Sequence, residues 1–344
     1  MHPLTERQKL ILALVVRNHI EDAQPVSSGR LVERHKLDMS TATIRNEMAA
    51  LAEMGYLKQP HTSAGRVPTE VGYRYFVRQL MVQTELPIPT QRMISHQFYQ
   101  AKGDVEQWMR LAASVLAHQS QAASLVTTPR PHHMLFKHLE LIVTSGRQVL
   151  MVLVLVGGEI HQQMLLLAEP VSQERLSVMA DQLTDLCRDL DFEAITALPG
   201  QSDTLEQEVL KLAQDEMARF SKTMGGEIYR DGLANMLAEP EFAESTAARR
   251  ALRILEERSL LEDLLSRTVL PATVGGVEVL IGGEGTWEEL RECAMVLTRY
   301  GAPGLITGTL GVLGPIRMPY GQTIPTVRFV AGVLSDLVTE MFVE

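Results

Sequence analysis

A helical stretch from Ser40 to Met54 spaces Ile44, Met48 and Leu51 at i, i+4 and i+7, so this face must turn inward. The opposite face then presents Ser40, Thr41, Thr43, Arg45 and Asn46 over its first two turns. Those side chains suit the groove and backbone of a DNA duplex. A guanidinium such as Arg45 can donate two hydrogen bonds to a guanine edge, and a carboxamide such as Asn46 can pair bidentately with adenine. Hydroxyls and unpaired N–H groups at a helix start suit phosphate oxygens. A second polar cluster follows in Lys58, His61, Thr62, Ser63, Gly65 and Arg66. Within it only Lys58 and Arg66 are fully charged at neutral pH, which fits a phosphate contact or, for Arg66, entry into a minor groove. The competing reading of both clusters is a solvated polar face and an ordinary hairpin tip on a protein-interaction domain of the same fold.

The elements that must position these groups can be read from caps and breaks. Thr5 with Gln8 makes a capping box that opens a first helix, whose Leu10, Ile11, Leu14 and Val15 share a face and which ends near Asp22. Gln24-Pro25 interrupts the chain. A short second helix starts at Ser27 or Ser28 and stops near Lys36, and the third runs from a Ser40 cap to Met54, with Gly55 in the left-handed position after it. Residues 56–59 and 66–67 pair as a hairpin across a turn-rich segment, and Thr69 caps a further helix. Helix-turn-helix followed by a hairpin predicts a winged helix-turn-helix domain over 1–85.

Beyond a Pro87/Pro89 hinge come helices near 90–101 and 105–123. Three strands then follow, Phe136–Val143, Gln148–Val156 and Ile160–Leu167, as an antiparallel meander. Residues 171–267 read as mostly helical. Strands return at 278–282, followed by a helix over 286–299, a strand over 304–313 and a final helix over 326–342. The order predicts an α+β body interrupted by a helical insertion.

Enzyme chemistry finds little footing. The Gly275-Gly276 and Gly282–Gly285 segments lack the Lys-Ser/Thr of a phosphate loop and the setting of a dinucleotide fingerprint. His132, His133, His138 and His161 could converge on a metal, but no carboxylate stands at ligand spacing. No glycine-elbow serine is present. The expectation is therefore no catalytic residue, no metal and no cofactor. The longest aliphatic run, Val149–Val156, is too short to span a bilayer, and two isolated cysteines and no signal peptide fit a cytoplasmic protein. The net charge of −10 over 344 residues hides an asymmetry. Residues 1–80 hold 11 Lys/Arg against 8 Asp/Glu, a balance of +3, whereas the rest hold 21 against 34, a balance of −13. Local charge governs phosphate binding, so an acidic body does not exclude DNA.

Three stretches carry a family resemblance. The first is Thr41-Ala42-Thr43-Ile44-Arg45-Asn46-Glu47-Met48 with Gln59-Pro60-His61-Thr62-Ser63-Ala64-Gly65-Arg66-Val67-Pro68-Thr69 and Gly72–Tyr75. The others are 229–237 with Pro240-Glu241-Phe242, and Gly311–Tyr320. Together they resemble HrcA, the bacterial heat-inducible transcription repressor family, across nearly the whole chain. The resemblance implies a winged-helix head, a GAF-like domain over 86–170 and 271–344, and an inserted dimerisation domain over 171–270. It also implies a homodimer on an inverted-repeat operator before chaperone genes, kept active by the GroEL chaperonin and released on heating. Ser27, Arg30 and Gly285 depart from the family's usual residues, and none of them is a candidate base reader. The alternative is a winged-helix regulator whose GAF-like pocket senses a small molecule. No ligand signature stands in that region.

Overall fold

A computed structural model describes the chain except for residues 1–2, 62–63, 83, 102, 132–134, 157–159, 199–203, 223–226, 244, 270–272, 283–285 and 343–344. Helix α1 (Glu6–Asp22) begins where Thr5 and Gln8 exchange side-chain-to-backbone hydrogen bonds of 3.2 and 3.0 Å. Ser27 caps α2 (Ser28–His35), and Ser40 caps α3 (Thr41–Glu53). Each cap satisfies an N–H that the first helical turn would otherwise leave unpaired. Gly55 adopts φ +82° after α3, which turns the chain into β1 (Leu57–Lys58). This strand pairs antiparallel with β2 (Val67–Pro68). Thr69 then caps α4 (Glu70–Tyr75), which runs on into a π-helical turn over Phe76–Leu80. Ile11, Val15, Leu31, Ile44 and Leu51 are buried at the centre of the three helices.

Helices α5 (Ile88–Gln100) and α6 (Val105–Ser120) match the expected helices, and they lead to β3 (Ala123–Thr127), a strand that the sequence pattern does not expect. The chain then enters a separate compact unit, Arg130–Gly225 with Gly304–Thr307. Strand β4 (Arg130–Pro131) is followed by the expected meander, β5 (Phe136–Ser145), β6 (Gln148–Leu155) and β7 (Ile160–Leu166), each antiparallel to the next. Helices α7 (Gln173–Cys187), α8 (Phe192–Thr196) and α9 (Thr204–Lys222) complete the unit. Its core joins Leu139, Leu141, Met151 and Leu153 of the sheet to Leu176, Met179, Leu183, Val209 and Met217 of the helices.

This redraws the expected boundaries. The insertion was expected over 171–270 with the meander left in the body, yet the meander and α7–α9 share one core, and the break falls near 130 and 225. The physical reason is that one face of a three-stranded sheet must be covered, and α7 covers it. From β8 (Ile228–Asp231) the chain is back in the larger unit, where a strand replaces the expected helix and pairs with β3. Helices α10 (Leu233–Leu237), α11 (Ser245–Glu256) and α12 (Arg258–Thr268) precede β9 (Val277–Ile281), β10 (Cys293–Ala302) and β11 (Ile306–Pro315). These strands sit in the order β8-β3-β11-β10-β9.

The helix expected over 286–299 is instead a 3₁₀ turn, Glu288–Leu290, followed by β10. Strand β10 is buried on both faces, so its apolar run is continuous and carries no alternation to distinguish it from a helix. The last helix, α13 (Tyr320–Phe342), starts six residues earlier than expected and runs through Pro325. Proline cannot donate to the carbonyl four residues back. That carbonyl, on Gly321, accepts instead from the Thr84 hydroxyl at 3.4 Å. α13 packs on β10 and α6.

Candidate nucleic-acid interface

Helix α3 is fixed from beneath by buried Ile44, Met48 and Leu51. That anchoring leaves Ser40, Thr41, Arg45 and Asn46 exposed and Thr43 half-buried. The Ser40 hydroxyl accepts from the Thr43 backbone N–H at 3.1 Å and lies 2.9 Å from the Thr43 hydroxyl. Ser40 and Thr43 are thus partly committed to the cap. Among the described residues, the Arg45 and Asn46 side chains have no hydrogen-bond or ion-pair partner. Three neighbouring arginines in the same three-helix region are engaged: Arg7 with Glu47, Arg30 with Asp22, and Arg34 with Glu21, Asp22 and the Asn18 side-chain amide oxygen. Two donors able to read base edges therefore stand unengaged on the exposed first two turns.

The hairpin is tied to the helices by backbone. Val26, between α1 and α2, donates to the Arg66 carbonyl and accepts from the Arg66 N–H, both at 2.9 Å. Such an approach leaves no room beside it: a Cβ at Gly65 would lie 2.4 Å from the Val26 carbonyl oxygen. At the tip, Gln59 donates to the Ala64 carbonyl at 3.1 Å and Ala64 donates to that of His61 at 2.9 Å. His61 is exposed, and Arg66 is half-buried without a side-chain partner among the described residues. Thr62 and Ser63 lie outside the described residues, as do His132, His133 and Gly283–Gly285.

Lys58 is placed differently from the other candidates. It is exposed on β1 but lines a cleft of about 360 Å³ with His19, Tyr73, Glu241, Glu292 and Arg317, a cleft that no α3 residue enters. Sequence reasoning missed this cluster. Arg317, whose side chain is 13% exposed, bonds Glu241 at 2.5 Å, pairs with Glu239, and reaches the Ile20 carbonyl at 3.5 Å. His19 Nδ1 stands 2.6 Å from the Tyr73 hydroxyl. Burial pushes the His19 imidazole below its ordinary pKa; Glu241 opposes that shift, and Arg317 and Lys58 add to it. The sequence signal was Arg317 itself, inside the Gly311–Tyr320 stretch, but its partners lie some 76 residues away.

His138 pairs with Glu140 at 3.2 Å, and among the described residues no group of three or more His, Cys, Asp or Glu could hold a metal ion. Nor is any described helix long and apolar enough to cross a membrane.

Comparison with known proteins gives one consistent answer. The family described as HrcA protein C terminal domain matches residues 106–324. A Roseiflexus castenholzii protein named "Heat-inducible transcription repressor HrcA" is 45% identical over 347 residues, covering 98% of this chain and 96% of its own. Proteins of the same name from Herpetosiphon aurantiacus (42% identical; 99% and 97% covered) and Thermomicrobium roseum (41%; 98% and 96%) are also similar. A solved structure described only as a hypothetical protein shares the fold, with a TM-score of 0.58 at 24% identity over 98% of each chain. Identity at this level over nearly the full length places the chain in the HrcA family.

Proposed function

We propose that this chain is a sequence-specific DNA-binding repressor of heat-shock chaperone genes and not an enzyme. The observation that carries the reading is the pair of unengaged base-reading side chains, Arg45 and Asn46, on the exposed start of α3. Residues 1–85 then act as a winged helix-turn-helix head, with α3 in the major groove and the β1–β2 hairpin as the wing. Thr41, His61, Ser63 and Arg66 supply backbone contacts, alongside Ser40, Thr43 and Lys58. The strand order β8-β3-β11-β10-β9 supports a GAF-like reading of the body.

The active species is a homodimer on an inverted repeat, because two heads at fixed spacing match a two-fold operator. The apolar positions of 171–270, first candidates for the interface, are in large part spent on the core beneath the β5–β7 sheet. The outer face of that sheet is the better candidate. Its register aligns Ile142 with Leu150 and Met164, and Gln148 with Leu166. Ile142, Ile160, Met164 and Leu166 are 41%, 59%, 55% and 67% exposed, an uncommon amount of apolar surface for one sheet face.

Heat release follows from marginal stability: warming exposes apolar surface of the kind a GroEL-type chaperonin captures, and the chaperonin restores the active fraction by preventing aggregation. A gel-shift assay on an inverted-repeat duplex, before and after a brief heat step and with or without chaperonin and ATP, tests the whole reading. The expected result is binding lost on heating and recovered only with chaperonin. Binding that is complete throughout and indifferent to chaperonin would remove the heat-switch part, and no preference for the repeat over random duplex would remove the repressor itself.

A further inference from the structure

Helix α2 is eight residues long, and Leu31 is its one buried apolar side chain. Apolar contact has no direction, so a single leucine does not decide how α2 sits on α1. Between the two helices lies a carboxamide. Asn18 of α1 is 1% exposed, and two of its three side-chain partners come from the last turn of α2. We infer that Asn18 is a positioning residue for α3: its amide admits one arrangement of α2 on α1, and that arrangement aims Arg45 and Asn46. The inference rests on the reading of α3 as the helix that meets DNA.

Hydrogen-bond roles are the first argument. Asn18 Nδ2 donates to the Leu14 carbonyl at 2.7 Å, and Asn18 Oδ1 accepts from Arg34 Nη1 at 2.9 Å. A backbone carbonyl can only accept and a guanidinium can only donate, so these two contacts fix which way the amide points. The second Nδ2 hydrogen then meets His35 Nε2 at 2.8 Å. That nitrogen must accept, which places the ring proton on Nδ1. Every polar atom of the amide is matched in this register. A slide of α2 along α1 would leave a buried donor unpaired, which costs more than the bond itself contributes.

Reach is the second. Arg30 and Arg34 also pair with Asp22 and Glu21 at the end of α1, but these side chains are 30% to 56% exposed. Long arginine side chains can follow a shift of the helix, and such exposed pairs contribute little. The asparagine side chain is short and enclosed, so it cannot follow. Arg34 and His35 end α2 immediately before the left-handed Lys36 and the turn into the Ser40 cap. Pinning that last turn sets where α3 starts and which way its exposed face points. Buried polar groups of this kind specify an arrangement without adding stability. Here Arg34 would keep its carboxylates if the amide were removed, and half-buried His35 could reach water. The Leu14 carbonyl would keep the backbone N–H four residues on in the helix.

Asn18→Leu, close to asparagine in size, separates position from stability in the full chain. Its melting temperature should stay at or above the parent's. Operator affinity should fall about tenfold while random-duplex affinity holds, as expected when one bidentate base contact is misaligned. His35→Gln, whose carbonyl oxygen can accept, should keep the operator preference, and His35→Lys, which can only donate, should lose it as Asn18→Leu does. A second measurement needs no DNA. Both native cysteines are buried, so spin labels on Arg17→Cys and Glu53→Cys, at exposed positions and diluted with unlabelled chain, give the α1–α3 distance. Its distribution should broaden in Asn18→Leu. An unchanged distribution would overturn the inference whatever α3 reads. So would operator and random-duplex affinities that fall together with the melting temperature, which would make Asn18 a stabilising residue alone. A broadened distribution in a protein whose parent does not prefer operator would support the joint and remove the DNA reading.

Discussion

Arg45 and Lys58 are both exposed cations, yet their surroundings assign them different work. Arg45 stands on the open face of α3 with no side-chain partner among the described residues, whereas Lys58 borders a cleft containing Glu241 and Glu292. Arg45→Ala should therefore weaken operator binding by about 1–3 kcal/mol and relax preference at one base position, and Asn46→Ala should do the same. Lys58→Ala should lower affinity for every duplex alike and shallow the salt dependence by about one unit of slope. Gel shifts on operator and random duplex over a salt series separate the two. If Lys58→Ala leaves the slope unchanged and only shifts the melting curve, the lysine serves the cleft and not the phosphates. Gly65 makes a sharper demand on structure. With Val26 O only 2.4 Å from where a Cβ would sit, Gly65→Ala must push apart the backbone pairing that holds the hairpin, at about 2 kcal/mol of stability, measurable by urea denaturation.

At the scale of elements, the outer face of the β5–β7 sheet is where assembly can be tested without touching a core. Leu166 and Met164 are more than half exposed, so an aspartate at either position should leave the fold intact while placing a charge in the proposed interface. Sedimentation of Met164→Asp/Leu166→Asp should give a monomer with unchanged circular dichroism, and a persistent dimer would move the interface elsewhere. The strands that build this face were legible in the sequence because tight turns at Ser145–Arg147 bound the first two and both alternate or run apolar. The helix starts were legible for the same local reason: Thr5, Ser27, Ser40 and Thr69 each cap the helix they precede. Non-local facts were not. Nothing near Ile228–Asp231 announces that it pairs with β3 a hundred residues earlier, so the insertion was closed too late. β10 failed for another reason, since Ala294, Met295 and Leu297 favour helices as readily as buried strands. Of the site, the α3 residues were readable from helical spacing, but the Arg317 cluster was not, because its carboxylates arrive from a distant loop.

For the molecule as a whole, that cluster sets an expected response to pH. His19 sits beside the Tyr73 hydroxyl, with Arg317, Lys58 and Glu241 as the charged groups acting on it. Burial lowers its pKa from the ordinary 6.5, and the two cations lower it further against the pull of Glu241. The unfolded chain, whose imidazole is in water, then binds a proton more readily than the folded one. By linkage, the folded state holds its full advantage above pH 6.5 and loses stability as the pH falls through that value, until the folded imidazole is itself protonated. Other groups titrate in the same range, so the useful quantity is a difference. His19→Gln can keep a hydrogen bond to Tyr73 but cannot titrate. Urea denaturation at pH 8 and at pH 5.5 should show a larger loss of stability for the parent than for His19→Gln. Equal losses would mean that the imidazole is as easily protonated in the fold as in water, and that burial at this junction does not constrain its charge.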